Sequence, residues 1–123
     1  MGNRATTGKA SEKRGRRSEW FAALLLVCKG YRILGRRVKT RAGEIDLIAK
    51  SPSGIVCFIE VKARPGEGLA AEAVTTRQRG RIVRAAALYL ASRKAEARFD
   101  VVTVIPGRLP RHLKDAWRPD DVL

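Results

Sequence analysis

The stretch that decides the fold is GEIDLIAKSPSGIVCFIEVKAR, residues 43–64. Two runs rich in β-branched and apolar residues flank the turn sequence SPSG, a pattern that predicts a β-hairpin. Three acids, Glu44, Asp46 and Glu60, nevertheless lie among the apolar residues, although the chain has only 12 acidic residues against 26 basic ones. What these scarce acids do is the first question that the sequence raises.

The relative positions of the acids depend on the register of the hairpin. Because side chains alternate between the two faces of a strand, a hairpin centred on Ser53 places Asp46 opposite Glu60. The same register places Glu44 opposite Lys62. A slip of one residue would instead put the acids of the first strand and the charged residues of the second strand on different faces of the hairpin. In the centred register two like charges lie directly across a strand pair, which is unfavourable unless a divalent cation lies between them.

This arrangement predicts a site for Mg²⁺ or Mn²⁺. Mg²⁺ prefers oxygen ligands and commonly binds one or two carboxylates, which Asp46 and Glu60 would supply. Lys62 can direct its ammonium group toward the attacking water or a phosphate oxygen. The alternative is a solvated outer face with cross-strand salt bridges, because short patterns of this kind recur by chance. The apolar flanks LIA and VCFI indicate burial near the acids and favour the metal site.

The charge of the chain indicates a polyanionic partner. A net charge of +14 and an isoelectric point near 11.1 favour nucleic acid or an anionic membrane surface. An arginine stripe on the second predicted helix is suited to tracking phosphates, although such stripes are often only solvated faces. The residues predicted to contact nucleic acid are Arg37, Lys39, Arg41, Arg64, Arg77, Arg81 and Arg84.

The length of 123 residues fits a single domain. Residues 1–15 have almost no large apolar side chains and are predicted to form a disordered basic arm, followed by one domain over residues 16–123. We expect an α/β fold of order αβββαβ, with a mixed central sheet flanked by helices. The first helix is predicted to be capped by Ser18 and stopped by Gly30.

Two segments outside these elements are predicted to be irregular. Residues 65–74 are expected to form a loop, and RHLKDAWRP near the C terminus a short amphipathic turn that docks Leu113 and Trp117. Trp117, Trp20 and Tyr31 are interpreted as core residues rather than base-stacking platforms, because the aromatic content is low.

Other polar and sulfur-containing residues are given structural roles. The single histidine, His112, cannot build a zinc site of the histidine type and is expected to pack or cap locally. Asp100 is expected to pair with an arginine or cap a turn. Cys28 and Cys57 lie within apolar runs without CxxC spacing and are interpreted as reduced core residues. Because the apolar run WFAALLLVC is too short to span a bilayer, we predict a cytoplasmic protein that does not act at a membrane.

The motifs GEIDLIA, FIEVKAR, VTTRQRGRIVRAAALYL, RFDVV and HLKDAW together resemble the YraN-like family of uncharacterised bacterial proteins. The resemblance covers about residues 15–118. It implies the fold of the PD-(D/E)xK nucleases, which is a restriction-endonuclease-like fold similar to that of Holliday-junction resolvases. It therefore implies a metal-dependent nuclease fold for this chain.

The resemblance also implies roles for individual residues. Asp46 matches the metal-binding aspartate of the family, and Glu60 and Lys62 match the ExK pair. Glu19 matches an acid that resolvase-like members contribute as a further metal ligand, and Gln78 matches a glutamine that supports such sites. Without the family, Glu19 is better explained as a first-turn acid stabilised by the helix dipole.

Three positions depart from the family pattern. Ile45 occupies the position of the proline, Arg37 stands where related sequences often carry asparagine, and Arg77 stands where many carry lysine. The two arginines keep or add positive charge, so they bear on sequence preference more than on chemistry. The backbone carbonyl of Val61 is expected to add a metal ligand.

These inferences predict a Mg²⁺- or Mn²⁺-dependent endonuclease acting on DNA, with branched or damaged DNA among the candidate substrates. The alternative is a non-catalytic nucleic-acid-binding protein that retains the nuclease fold. A third hypothesis is an interaction protein that docks on acidic partners or anionic lipid. A homodimer would suit a two-fold-symmetric substrate such as a junction, but the sequence reveals no dimer surface.

Overall fold

The computed structural model describes residues 3–64 and 74–122, with side chains from residue 16 onward. Residues 65–73 of the predicted loop therefore lie outside the described part of the chain. The elements are α1 (Asn3–Cys28), β1 (Arg32–Thr40), β2 (Gly43–Lys50), β3 (Val56–Ala63), α2 (Thr76–Leu90), β4 (Ala97–Val104), β5 (Arg111–Trp117) and a 3-10 turn at Pro119–Asp121.

The five strands form one mixed sheet in the order β1-β2-β3-β4-β5. Strands β1, β2 and β3 are antiparallel neighbours, β3 and β4 are parallel with α2 in the connection, and β5 returns antiparallel to β4. The α/β class and the mixed sheet are thus confirmed. The observed sheet contains one strand more than the sequence predicts.

The sheet is covered by a helix on each face. On one face Ala22 and Leu26 of α1 pack against Leu47, Cys57 and Val102 of the strands. The other face packs against α2, in a core that includes Ile48, Phe58, Ile82, Val101 and Trp117. Two apolar layers therefore bury the central strands on both faces, as expected for a sheet with a parallel crossover.

The central hairpin has the predicted register. Its paired positions run from Leu47↔Ile59 to Lys50↔Val56. The turn between the strands is closed by a hydrogen bond from Gly54 N to the carbonyl oxygen of Ser51 (2.9 Å). Gly54 has a φ of 95°, a conformation that glycine adopts without steric cost.

Helix α1 begins at Asn3 rather than at Ser18. Ser18 is buried inside the helix and does not cap it. Upstream of Ser18 there is no proline, and the glycines there each cost only about 1 kcal/mol relative to alanine, so they need not end a helix. Gly30 follows the helix with a φ of 87° and stops it as predicted. The division into an arm and a domain remains a prediction.

The C-terminal segment forms strand β5, so the prediction of a short turn there is wrong. The segment pairs with the otherwise free edge of β4, from Phe99↔Trp117 to Thr103↔Arg111. Trp117 is buried as predicted, whereas Leu113 is 37% exposed and does not dock into the core. Hydrogen bonding to a neighbouring strand decides this conformation, and the local apolar pattern gives no sign of it.

Two predictions of burial on α1 are also wrong. Trp20 is 55% exposed and Cys28 is exposed, whereas Tyr31 and Cys57 lie in the core as predicted. The apolar run of α1 continues around the whole helix, but the sheet covers only one side of it. No helix in the described ranges is both long and apolar enough to span a membrane.

Candidate metal and nucleic-acid site

Asp46 and Glu60 lie where the two strands of the hairpin stop pairing. The last pair at this end is Leu47↔Ile59, and the same register continued by one residue places Asp46 across from Glu60. The backbone N–H of Val61 donates to Oδ2 of Asp46 over 2.8 Å. The Asp46 side chain thus takes the place of a backbone acceptor, and this hydrogen bond holds its carboxylate beside β3.

Both carboxyl groups have a raised pKa. Burial, together with the nearby carboxylates of Glu60 and Glu19, raises the pKa of Asp46 from 3.8 to about 7. Burial also raises the pKa of Glu60, against the opposing effects of the Lys62 ammonium and of a hydrogen bond with the Asp46 carboxyl. Near neutral pH the pair therefore binds a proton readily, and a divalent cation in its place would relieve the same repulsion.

Lys62 lies on the same side of β3 as Glu60. Its Nζ is 3.4 Å from Oε1 of Glu60, and both side chains are largely buried. The predicted alternative partner of Lys62, Glu44, is exposed and lies across from Lys39 of β1. Glu44 is therefore a rim residue, and the Asp46, Glu60 and Lys62 side chains form the compact part of the site.

Glu19 approaches the same acids from α1 through an ion pair with Arg37. The Arg37 Nε donates to Oε2 of Glu19 over 2.7 Å. Arg37 has a φ of 50°, a strained backbone conformation for an arginine within a strand. The pairs on either side of Arg37 in β1 place it across from Asp46 of β2. Because α1 begins far upstream, Glu19 is not a first-turn acid, and its charge is balanced by Arg37.

Arg81 of α2 lies close to the start of β2, the strand that carries Asp46. A Cβ added to Gly43 would lie 2.8 Å from Cδ of Arg81, so the arginine stem packs directly on the backbone of β2. The positive charge of Arg81 also lowers the pKa of Glu60, against the larger effect of burial. From the sequence, Arg81 is expected only to contact phosphates, as one of the arginines along this helix. Gly43, the first residue of the strand that carries Asp46, is the feature of the sequence that could have indicated this close approach.

Gln78 is placed at the start of α2 in a capping box. Its Oε1 accepts a hydrogen bond from the Thr75 backbone N–H (3.1 Å), and its own N–H donates to Oγ1 of Thr75 (3.2 Å). The side chain that the family resemblance assigns to the site thus stabilises the helix start in this conformation. Its role in the site remains a prediction.

The other predicted nucleic-acid contacts are spread over the surface. Lys39 and Arg41 line a cavity of about 570 Å³ beside Tyr89. Arg64 lines another of about 440 Å³ beside Phe21. The remaining predicted contacts, Arg77 and Arg84, are exposed on α2. Of the seven basic residues, Arg37 and Arg81 have contacts that place them next to the acids.

The donor set fits a hard divalent cation bound through few protein ligands. Within residues 16–64 and 74–122, no three His, Cys, Asp or Glu side chains converge closely enough to hold a metal ion. Asp46 and Glu60 provide two oxygen donors, which is the number of carboxylates that Mg²⁺ commonly takes when substrate phosphates and waters complete its shell. Glu19 could join them only after releasing Arg37.

A second charged cluster lies away from these acids and has a structural role. The fully buried Asp100 accepts hydrogen bonds from Nε and Nη2 of Arg98 (2.9 Å each) and from the backbone N–H of Asp115. Its Oδ2 also lies 2.7 Å from Nε2 of His112, whose Nδ1 contacts Nζ of Lys29. The predicted arginine pairing of Asp100 is confirmed. The predicted local packing of His112 is wrong, because its ring contacts Asp100, Lys29 and the ring of Tyr31.

Comparison with known proteins gives a consistent result. The chain matches the model of the uncharacterised protein family UPF0102 over residues 18–104. A UPF0102 protein of Parvibaculum lavamentivorans is 51% identical, with 96% of this chain and 90% of the relative covered. One of Maricaulis maris is 48% identical, covering 92% and 91%, and one of Rhizobium etli is 46% identical, covering 95% and 100%.

Proposed function

Since the chain belongs to the uncharacterised protein family UPF0102, the YraN-like family that its motifs resemble, we propose its function from the geometry of the acidic site. We propose a Mg²⁺- or Mn²⁺-dependent endonuclease with a restriction-endonuclease-like core, which hydrolyses DNA phosphodiesters, with branched or damaged DNA among the candidate substrates. The observation that carries the proposal is the pairing of two buried carboxyls, Asp46 and Glu60, beside Lys62 in a chain of net charge +14.

The side chains of the site have distinct roles in this reaction. A bound divalent cation would supply a Lewis acid for the phosphoryl oxygen and favour deprotonation of the attacking water. Asp46 and Glu60 would hold the cation, with the backbone carbonyl of Val61 and, once free of Arg37, the Glu19 carboxylate as further ligands. The Lys62 ammonium would orient the attacking water or donate a hydrogen bond to a phosphate oxygen, which stabilises the charge that develops there.

The basic residues around the acids support a polyanionic substrate. Arg37 lies across from Asp46 in the sheet, and Arg81 lies close to the start of β2 and acts on the Glu60 carboxyl. Phosphates that flank the reacting bond could therefore be neutralised while the bond itself lies at the acids. Lys39, Arg41, Arg64, Arg77 and Arg84 would extend these contacts along the nucleic acid.

The test is cleavage of supercoiled DNA and of a four-way junction in Mn²⁺. Asp46→Asn and Lys62→Ala should each slow cleavage by at least about 100-fold, since each removes a group that contacts the metal or the phosphate. Glu44→Gln and Lys50→Ala are matched controls, because they remove exposed charges from the same hairpin. Equal cleavage by the wild type and Asp46→Asn would exclude this assignment.

A non-catalytic nucleic-acid-binding protein is the second candidate. The ion pairs Glu19–Arg37 and Glu60–Lys62 favour it, because they balance two of the acids without any metal. This function predicts DNA binding that weakens steeply with salt, as counterion release requires, and no strand scission in Mg²⁺ or Mn²⁺. Scission by the wild type that the Asp46→Asn change abolishes would decide against it.

A further inference from the structure

The outward side of α1 carries an exposed apolar stripe with a tryptophan at its upstream end. Trp20, Leu24 and Val27 recur at helical spacing and are each about half exposed. Phe21 packs edge-on against Trp20, with ring centroids 5.4 Å apart and an interplanar angle of 78°. The indole thus contacts a neighbouring ring, and about half of the surface of Trp20 remains accessible to solvent.

This tryptophan lies between two adjoining cavities, one of which contains the Glu19–Arg37 ion pair. The first, of about 440 Å³, is lined by Arg16, Glu19, Trp20, Arg36 and Arg37. The second, of about 350 Å³, is lined by Trp20, Ala23, Leu24, Val27, Ile33 and Arg36. Since Trp20 and Arg36 line both, the two cavities adjoin at these residues, and together they are called the groove. Its upstream end contains the Glu19–Arg37 pair that adjoins Asp46.

The charge along this groove favours an anionic occupant. Arg16 and Arg36 are exposed and line its walls. Neither has a salt bridge to an acid among the residues with described side chains, whereas Glu19, the acid of the groove, is already paired with Arg37. An aromatic surface flanked by arginines is the combination that proteins use to bind single strands, in which bases stack on rings and phosphates meet cations.

From this geometry we propose that the groove is a subsite for an unpaired nucleotide, whose base stacks on Trp20 while Arg16 and Arg36 contact its phosphates. The inference rests on the proposed function in taking nucleic acid as the occupant. It deepens that function by naming a substrate class, DNA with a single-stranded segment next to the bond at the acids. Bases within a duplex are stacked on each other and cannot present a face to the indole, so intact duplex does not fill this subsite.

An acidic peptide with apolar anchors is the competing occupant of an apolar groove lined by arginines. Nucleic acid is favoured because the first cavity contains Arg37, which lies across from Asp46 of β2, so a strand bound there would lie next to the acid-bearing strand. The two occupants also use different parts of the groove. A base needs the Trp20 ring, whereas an apolar anchor also needs Leu24 and Val27 in the second cavity.

The experiment measures binding without metal, so that no cleavage occurs. Fluorescence anisotropy in EDTA compares a labelled single strand with the duplex of the same sequence for the wild type, Trp20→Leu, Trp20→Phe and Leu24→Ala. Trp20→Leu should weaken single-strand binding by roughly 5- to 150-fold, the range reported for losing one base–aromatic stack. Trp20→Phe should lose less because it keeps a ring, and Leu24→Ala should change little. Duplex binding should be unchanged in all three.

A second readout follows the indole itself. Because Trp117 is only 2% exposed, Trp20 is the tryptophan accessible to a ligand. An unlabelled single strand should quench the emission of the wild type and leave that of Trp20→Phe unchanged. Equal losses of single-strand and duplex binding in Trp20→Leu, or no loss in either, would overturn the inference. So would tighter binding of an acidic apolar peptide than of the single strand at the same ionic strength, with sensitivity to Leu24→Ala.

These outcomes are distinct from failure of the proposed nuclease. Single-strand binding that depends on Trp20, in a protein that cuts no DNA in Mn²⁺, would support the subsite and exclude the nuclease. Cleavage that depends on Asp46 but proceeds equally on single strands and duplex, with or without the Trp20 ring, would exclude the subsite and support the nuclease.

Discussion

Asp46 has a pKa far above that of an ordinary aspartate. It is a mostly buried acid beside Glu60, with a pKa raised to about 7. Because the pKa of Asp46 is higher in the folded than in the unfolded chain, the folded state holds an extra proton between about pH 4 and 7. Its contribution to the metal-free stability is therefore fully present at low pH and is lost as the pH rises through 7.

Replacing this acid with its neutral isostere should stabilise the metal-free protein. At pH 8 we expect Asp46→Asn to raise the free energy of unfolding by about 1–2 kcal/mol, since it removes repulsion with Glu60 and retains an acceptor for the Val61 N–H. At pH 4 the difference should disappear. Urea denaturation in EDTA at both pH values checks this, with Glu44→Gln as the exposed control. A lower stability of Asp46→Asn at pH 8 would indicate a structural salt bridge instead.

Arg37 is the second residue with an unusual environment, since it combines a left-handed backbone with an ion pair to Glu19. If Glu19 is a metal ligand, Arg37 competes with the metal for it. Arg37→Gln should then tighten Mn²⁺ binding about 3- to 10-fold at pH 8, the range expected for losing one partly exposed ion pair together with a nearby positive charge.

Arg36→Gln is the matched control for that change. Arg36 is adjacent in β1 and exposed, and it makes no salt bridge to an acid among the residues with described side chains. Isothermal titration with Mn²⁺ measures both variants. Weaker binding by Arg37→Gln than by Arg36→Gln would show that the arginine positions Glu19 for the metal rather than competing for it.

At the scale of elements, the attachment of β5 to the sheet depends on Asp100. Burial alone would raise the pKa of this carboxyl, but hydrogen bonds from His112, Arg98 and the Asp115 backbone N–H outweigh it and lower the pKa. The stabilisation is therefore present above the ordinary range of an aspartate and is lost as the pH falls through the lowered pKa. The strand thus depends on a buried charge that must stay ionised.

Neutralising this carboxyl should destabilise the fold. Asp100→Asn should lower the free energy of unfolding by about 3 kcal/mol at pH 7, because the change leaves the Arg98 guanidinium without its buried partner. Asp115→Asn, which breaks an exposed ion pair with Arg118, should cost less than about 1 kcal/mol. Equal, small effects in urea denaturation would show that Asp100 does not anchor the strand.

The elements also differ in how far the sequence predicts them. The hairpin and its register follow from local information, namely two apolar runs, alternating acids and the turn SPSG. Strand β5 does not, because RHLKDAW is mostly polar and its conformation depends on pairing with β4 and on Asp100. The exposure of Trp20 was missed because the run WFAALLLVC of α1 is apolar on all sides, and periodicity cannot decide which side meets the sheet.

The contacts of the candidate site also differ in how far the sequence predicts them. The opposition of Asp46 and Glu60 and the proximity of Lys62 follow from strand geometry, so they could be predicted. The contact of Glu19 with Arg37 depends on how α1 lies against β1, and the approach of Arg81 depends on how α2 crosses β2. These are tertiary contacts between distant segments, which spacing along the chain does not encode.

At the scale of the whole molecule, a strongly basic chain places two of its few acids side by side. A net charge of +14 attracts polyanions, while Asp46 and Glu60 together offer a local site for a cation. Arg37 of β1, Lys62 of β3 and Arg81 of α2 lie near the pair, so an anionic substrate and a divalent cation could meet there. The central claim is therefore that the paired carboxyls bind a divalent metal ion.

The most direct test of this claim is Mn²⁺ binding measured by isothermal titration at pH 8. The wild type should bind a single Mn²⁺ at this site, Asp46→Asn should weaken binding by at least about tenfold, and Glu44→Gln should leave it unchanged. Binding by the wild type should also weaken toward pH 6, because protonation of Asp46 with its pKa of about 7 competes with the metal. No binding by the wild type, or equal binding by Asp46→Asn, would contradict the account.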